Sequence, residues 1–254
     1  MPTWPAESIW EEISPLLPGF TVEVLPEVDS TNTELMRRSR AGQTEPTLLV
    51  AERQSAGRGR MGRPWQSAVG DSLTFSLGLP LAPADWSGLS LAVGVAVAEA
   101  LHPRVQLKWP NDLWVDGRKL GGILVETASF AGGAGAPRYA VVGIGINIVP
   151  RAGDGLSTPP AALRDLWPEA TAAATLVRIA PPLVAALQAF ERFGFSAFQA
   201  RFDARDLLRD RAVTLSDGSS GTAHGVSETG ALLVHTGAGM QAVSSAEVSV
   251  RPAA

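Results

Sequence analysis

Cysteine does not occur anywhere in the 254 residues. Disulfides, thiolate nucleophiles and cysteine-held metals are therefore excluded. Histidine occurs only as His102, His224 and His235, none near another in sequence, so no histidine zinc cage is expected. Long apolar runs are missing too. The most apolar stretch, Leu89 to Leu101, carries Glu99 and falls short of the roughly 20 residues a bilayer span needs. The opening Met1-Pro2-Thr3-Trp4-Pro5-Ala6-Glu7 lacks the basic segment and apolar run of a secretory signal. These scarcities predict a soluble, cytoplasmic protein that does not enter a membrane.

Lysine is the most telling scarcity. Nineteen arginines stand against two lysines, Lys108 and Lys119. A chain so biased uses arginine wherever a generic cation is enough, so a lysine pair kept in one segment suggests a compact, rotatable ammonium is needed there. That segment reads Lys108-Trp109-Pro110-Asn111-Asp112-Leu113-Trp114-Val115-Asp116-Gly117-Arg118-Lys119. A second island, Arg53-Gln54-Ser55-Ala56-Gly57-Arg58-Gly59-Arg60-Met61-Gly62-Arg63, sets four arginines among three glycines. Together they point to an enzyme for a phosphate-bearing substrate. The formal charge of -4 argues against broad nucleic-acid binding, though a local basic loop can still hold a nucleotide. With 45% apolar residues the chain can build a sizeable core and one small extra domain.

Alternation predicts strands over 21–28, 47–52, 72–79, 105–109, 120–126 and 139–148. Helices are expected from Thr31 to about Arg40, from Trp86 to Leu101, and over 172–193 and 195–208, with Pro181-Pro182 breaking or restarting the third. Thr31 and Glu34 have the spacing of a capping box, and Gly42 of a helix stop. Asp116-Gly117 reads as a tight turn and 131–137 as a hairpin tip. Beyond Arg211 the pattern changes to short strands and turns: 212–215, a turn at 216–218, then 222–226, 232–235 and 240–250. The tail reads as a small β-barrel. Hairpin-joined strands with helices gathered around them favour an α+β fold, a mixed β-sheet packed with helices. The division expected is 1–208 and 209–254.

Gly57, Gly59 and Gly62 permit turns in which backbone N–H groups converge on an anion. Arg58, Arg60 and Arg63 add fork-shaped donors. The island lacks the ending of a P-loop and opens no apolar helix, as a dinucleotide fingerprint would. By itself it reads equally as an ordinary solvated basic loop. In the lysine segment, Asn111 and Asp112 offer hydrogen bonds or metal coordination, and Lys119 returns on the next hairpin arm. The plainer account is a hairpin whose Asp caps a turn and whose Lys faces water, with Lys108 on a strand's polar side.

Four motifs in order change the weighing: Asp29-Ser30-Thr31-Asn32, Gln54 through Trp65, Lys108 through Lys119 followed by Leu120-Gly121-Gly122-Ile123-Leu124-Val125-Glu126, and Val142-Gly143-Ile144-Gly145-Ile146-Asn147. In order and spacing the chain resembles the biotin–protein ligases, which attach biotin to acyl-CoA carboxylases. The resemblance implies a catalytic domain with the class II aminoacyl-tRNA synthetase-like fold and a C-terminal SH3-like barrel. It implies that Ser30, Thr31, Asn32, Gln54, Arg58, Gly59, Arg60 and Lys119 bind biotin. It implies that Arg58, Arg60, Arg63, Trp65, Lys108, Asn111, Asp112, Lys119 and Asn147 bind ATP and the adenylate. Lys119, Arg60 and Asp112 would be catalytic. ATP and biotin would be substrates, with Mg²⁺ carried mainly on the ATP phosphates and Asp112 near it. The loop departs from the family pattern at Met61, where a further Arg is frequent.

The implied chemistry joins two anions. Biotin's carboxylate attacks the α-phosphorus of ATP and pyrophosphate leaves, so cations must neutralise both partners. The mixed anhydride is prone to hydrolysis, which gives the Gly/Arg loop a reason to be mobile and then to close over it. A carrier lysine amine then attacks the acyl carbon and AMP leaves. Asp112 is the candidate for orienting or deprotonating that amine, although a carboxylate is a weak base. The expected partner is a biotin carboxyl carrier protein. With Asp29 so near the start, no N-terminal DNA-binding domain and no specific DNA binding are expected. Homodimerisation stays open. The rivals are a lipoate–protein ligase and a non-catalytic carrier-binding protein.

Overall fold

The computed structural model describes residues 4–129, 136–151, 160–215, 218–244 and 250–252. Its centre is a seven-stranded mixed sheet in the order β1-β2-β3-β7-β6-β5-β4. The strands are β1 (Thr21–Val28), β2 (Thr47–Gln54), β3 (Ser72–Leu81), β4 (Gln106–Lys108), β5 (Asp112–Val115), β6 (Arg118–Ser129) and β7 (Arg138–Asn147). β1 and β2 run parallel, joined through α2 (Thr31–Arg40). The remaining neighbours are antiparallel, as their hairpin spacing predicts.

The two faces of this sheet differ. On one, Phe75, Leu77, Val142, Ile144 and Ile146 join a core shared with α3 (Leu89–Leu101) and α4 (Ala172–Phe193). α1 (Ala6–Ile13), which no sequence signal had indicated, adds Ile9 and Ile13 to it. α3 is apolar on nearly every side because sheet and α4 enclose it. On the other face α2 is the one helix among the described residues against the sheet, its Leu35 and Met36 packing with Leu49, Tyr139 and Val141. Side chains alternate across a strand, so the β7 face that carries Tyr139 and Val141 under α2 continues as Gly143, Gly145 and Asn147. The site lies there.

Several expectations need correction. The capping box of Thr31 and Glu34 does not form. Ser30 is the N-cap, its Oγ accepting from the Thr33 N–H at 3.4 Å, while Glu34 pairs with Arg37 and Arg38. Two guanidinium groups hold that carboxylate away from the helix end. The α3 helix begins at Leu89, after Gly88 at φ 80°, rather than at Trp86. Pro181-Pro182 lie inside one unbroken α4. The bonds they forgo are offset by burial, since Ile179, Ala180, Leu183 and Val184 beside them are at most 2% exposed. α4 is thus the one helix among the described residues long and apolar enough to cross a membrane, and half of that stretch is buried inside the protein. The helix expected over 195–208 is a 3-10 turn at Phe195–Phe198 and a short α5 (Gln199–Asp203). Beyond it the backbone serves β4: Arg205 O accepts from Leu107 N–H at 2.8 Å and Leu207 N–H donates to Leu107 O at 2.9 Å.

The tail forms a second sheet, β11-β10-β9-β8-β12, from β8 (Ala212–Leu215), β9 (Ser220–Val226), β10 (Leu232–Thr236), β11 (Gly239–Val243) and β12 (Val250–Pro252). The strand expected over 240–250 is thus two separate strands. Its two end strands do not pair among the described residues, so the sheet is open there rather than a closed barrel. The expected turn at Ser216-Asp217 and most of the hairpin tip at 131–137 lie outside the described residues. Among the described residues, two side-chain hydrogen bonds join this part to the rest of the protein: Trp109 Nε1 donates to Gly230 O at 3.0 Å, and Gln199 Nε2 to Val226 O at 2.7 Å.

Candidate active site

The lysine segment is the β4–β5–β6 meander. The Trp109–Pro110 bond is cis, and Asp116 and Gly117, at φ 49° and 73°, make the tight turn. That turn pairs Trp114 with Lys119, so Lys119 shares the face of Trp114 and, two residues back, of Asp112. The register then slips: Leu113 pairs with Gly121 and Asp112 with Gly122. In a regular strand Lys119 would share a face with Ile123, which is buried in the core. The bulge breaks that parity. Leu120 and Ile123 pack inward while Lys119 lies with Asp112 and Gly122 on the site face. Lys119 Nζ comes 2.7 Å from Asp112 Oδ1, and the missing Cβ of Gly122 leaves space over which both groups stand.

Gly143 and Gly145 hold the next two positions of the floor. A Cβ on Gly143 would fall 2.1 Å from Asn32 Oδ1, and one on Gly145 would fall 2.5 Å from Trp65 Cε2. These glycines are therefore the seats of Asn32 and Trp65. Ser30, Thr31 and Asn32 are each 3% exposed; Ser30 caps α2, while Thr31 and Asn32 join one network through Ser76. Ser76 Oγ lies 2.7 Å from Thr31 Oγ1 and 2.6 Å from Asn32 Oδ1. Gln54 Oε1 accepts from the Thr31 N–H at 2.8 Å. Asn32 Nδ2 donates to Leu124 O and to Glu126 Oε2 at 3.1 and 2.9 Å.

The Arg/Gly island is a loop, as expected, with hydrogen bonds across its base. Trp65 N–H donates to Gly57 O at 2.8 Å and Gly59 N–H to Arg63 O at 2.7 Å. Its arginines diverge. Arg58 reaches Thr33 Oγ1 at 3.0 Å and Glu126 at 3.3 Å, on the side of Asn32. Arg60 reaches Asn111 Oδ1 at 3.5 Å, on the side of Asp112. Burial pulls the Arg60 guanidinium below its ordinary value, with the Asp112 charge opposing and Arg63 adding to the fall. Arg63 itself is exposed, and Met61 stands 75% exposed at φ 56°. Lys108, paired across β4 with Asp112, sits 4.9 Å over the Trp114 ring. Asn111 is committed to Ile123 through its Nδ2. Asn147 Nδ2 donates to Ala161 O at 3.0 Å, yet its buried Oδ1 has no partner among the described residues.

The structure thus gathers residues from all four motifs on one face, Arg63 being the outlying member. Ser76, Glu126 and Arg151 had escaped notice as members of the site. Glu126 ties Asn32 to Arg58 and could have been found from its alternation with Gly122 and Leu124. Arg151, 5.9 Å over the Trp65 ring, carries no sequence signal.

Residues 24–147 match the Biotin/lipoate A/B protein ligase family, and residues 211–251 match the Biotin protein ligase C terminal domain. The chain is 37% identical to the Bifunctional ligase/repressor BirA of Escherichia coli (strain K12) over 253 residues, 93% of this chain and 76% of that protein. It is 30% identical to the Biotin--[acetyl-CoA-carboxylase] ligase of Paracoccus denitrificans, over 89% of this chain and 98% of the relative. The chain belongs to the biotin protein ligase family. Among solved structures, biotin protein ligase from Aquifex aeolicus in complex with biotin and ATP superposes with a TM-score of 0.76 at 29% identity, covering 91% of this chain and 99% of the other.

Proposed function

We propose that this protein is an ATP-dependent biotin–protein ligase that forms biotinyl-5'-AMP and transfers biotin to a lysine of a carboxylase's biotin carboxyl carrier protein. The observation that carries the reading is the placement of Lys119 and Asp112 beside the Gly143 and Gly145 seats, where one face offers both a cationic end and a buried polar end.

Ser30, Thr31, Asn32 and Gln54 form the polar wall of the biotin half, and Arg58 and Gly59 cover it. Lys119 and Arg60 stand where biotin's carboxylate meets the α-phosphate. Attack by a carboxylate oxygen forms the C–O–P anhydride, breaks the bond to the bridging oxygen and releases pyrophosphate. Preorganised cations favour this step because charge builds up where they already point. Trp65, Asn111 and Asn147 hold the nucleotide, with Lys108 and Arg63 as outer cations. In the second step the carrier amine attacks the acyl carbon, AMP departs, and Asp112 receives or orients the amine proton.

No three histidine or carboxylate side chains cluster to hold a metal among the described residues, and Asp112 already meets a lysine. Mg²⁺ would then arrive on the ATP phosphates, with Asp112 the carboxylate available near them, and would supply further neutralisation of phosphate charge. The division at 208/209, the SH3-like character of the tail and a cytoplasmic site of action, where ATP is at hand, belong to the same reading.

Biotin-dependent exchange between ATP and pyrophosphate, run beside lipoate, is the test. Exchange with biotin supports the reading; exchange with lipoate alone overturns it, and no adenylate with either acid revives a non-catalytic carrier-binding role.

A further inference from the structure

Arg151 follows β7 four residues after Asn147, and three features meet around it. Its guanidinium lies 5.9 Å from the centre of the Trp65 ring, within the range of cation–π attraction. It donates through one terminal nitrogen to Gln66 O at 3.4 Å, and it pairs with no carboxylate among the described residues. Its Nε, the Nε1 of Trp65 and the Oδ1 of Asn147 are all buried without a partner among the described residues. A buried donor or acceptor left unpaired costs about 1–3 kcal/mol. Two unpaired donors at one aromatic ring call for a complementary group, and Asn147, two residues beyond Gly145 on the same strand face, offers an unpaired acceptor. The seat of Trp65 at Gly145 fixes which part of the site this is. Gly145 pairs with Gly122, over which Lys119 and Asp112 stand, so Trp65 neighbours that pair and Arg151 meets the site through the Trp65 ring.

We infer that Arg151 is a nucleotide-base-binding residue, acting with Trp65 and Asn147 on a planar ring that offers both acceptors and an amino donor, as adenine does. The inference rests on the ATP-dependent reading above and adds a residue to it. Phosphate neutralisation is left to Lys119 and Arg60. A guanidinium held over an indole, unlike an ammonium, presents a fixed planar edge, so a lysine does not replace it.

The test measures KM for ATP and for biotin, together with inhibition by adenosine and by pyrophosphate, in the full chain and in Arg151→Ala and Arg151→Lys. Both variants are expected to raise the ATP KM about tenfold or more, as losing a charge-assisted hydrogen bond would. Adenosine inhibition should weaken by a similar factor, while the biotin KM and pyrophosphate inhibition stay within twofold. An unchanged ATP KM, with or without a lower melting temperature, overturns the inference. So does weakened pyrophosphate inhibition with adenosine unaffected, and so does full recovery in Arg151→Lys. A wild-type chain that makes no biotinyl-AMP defeats instead the function proposed above, which keeps the two failures distinct.

Discussion

Lys119 and Gly122 share one face of β6 although three positions separate them, because the strand slips by one residue between them. The slip sets the ammonium over the open backbone of Gly122 and against Asp112. Lys119 and Asp112 remain 35% and 19% exposed, so the pair contributes only about 0–1 kcal/mol to folding. In the proposed reaction its contribution is charge placement.

Lys119→Ala should therefore lower biotinyl-AMP formation on the order of 10²–10³-fold, the scale seen when one preorganised charge-stabilising donor is removed. The melting temperature should move by no more than about 3 °C. Single-turnover adenylation and a thermal melt check this; a large melting change with normal adenylation would assign the lysine to the fold.

Gly143→Ala and Gly145→Ala should separate the two halves of the site. The first drives a methyl into the Asn32 amide and is expected to raise the biotin KM about tenfold. The second displaces Trp65 and should raise the ATP KM by a similar factor. Each is checked by varying one substrate at saturation of the other, and a shared rise in both constants would contradict two separate seats.

Glu126→Ala removes the acceptor shared by Asn32 Nδ2 and the Arg58 guanidinium. Asn32 keeps its bond to Leu124 O, so loss of one hydrogen bond of about 1 kcal/mol predicts a several-fold rise in biotin KM. Glu126→Gln, which retains an acceptor for Asn32, should recover most of it. Steady-state kinetics of the two variants decide.

Asp206 sits where the tail meets β4. Burial pushes its carboxyl from 3.8 up to about 6, with Asp203 and Asp210 adding and the Leu208 N–H and Arg209 opposing. The folded state therefore binds this proton more tightly than the unfolded chain. The resulting stability is full below pH about 4 and lost as pH rises to about 6. Asp206→Asn should stabilise the protein at pH 7 by at most about 3 kcal/mol, with the gain shrinking towards pH 4. Melts across that range test the sign; a gain that grows on acidification would refute it.

Much of this was legible in the residues. Alternation located the strands because one sheet face is a continuous apolar core, and Asp116-Gly117 announced its turn because few other pairs accept positive φ at both positions. The motifs named nearly every side chain on the site face. What escaped needed three-dimensional information. Pro181-Pro182 looked like a break because local rules cannot see the burial that holds α4 together. The N-cap was misplaced by one residue since Glu34 met two arginines from its own helix. The segment 204–208 looked helical but its backbone is claimed by Leu107. The bulge that aims Lys119 follows from packing Leu120 and Ile123 together, and Arg151 depends on a ring supplied by a distant loop.

Trp109 is 1% exposed and spends its indole N–H on the carbonyl of Gly230. The ring that stiffens the lysine meander is thus fastened by an atom from the far end of the chain. Exchanging the tail between relatives becomes a question of register: a graft that keeps its own strands intact but shifts the 227–231 turn by one residue would strand that indole proton in an apolar setting. Loosening would then spread to the lysine meander, far from the splice.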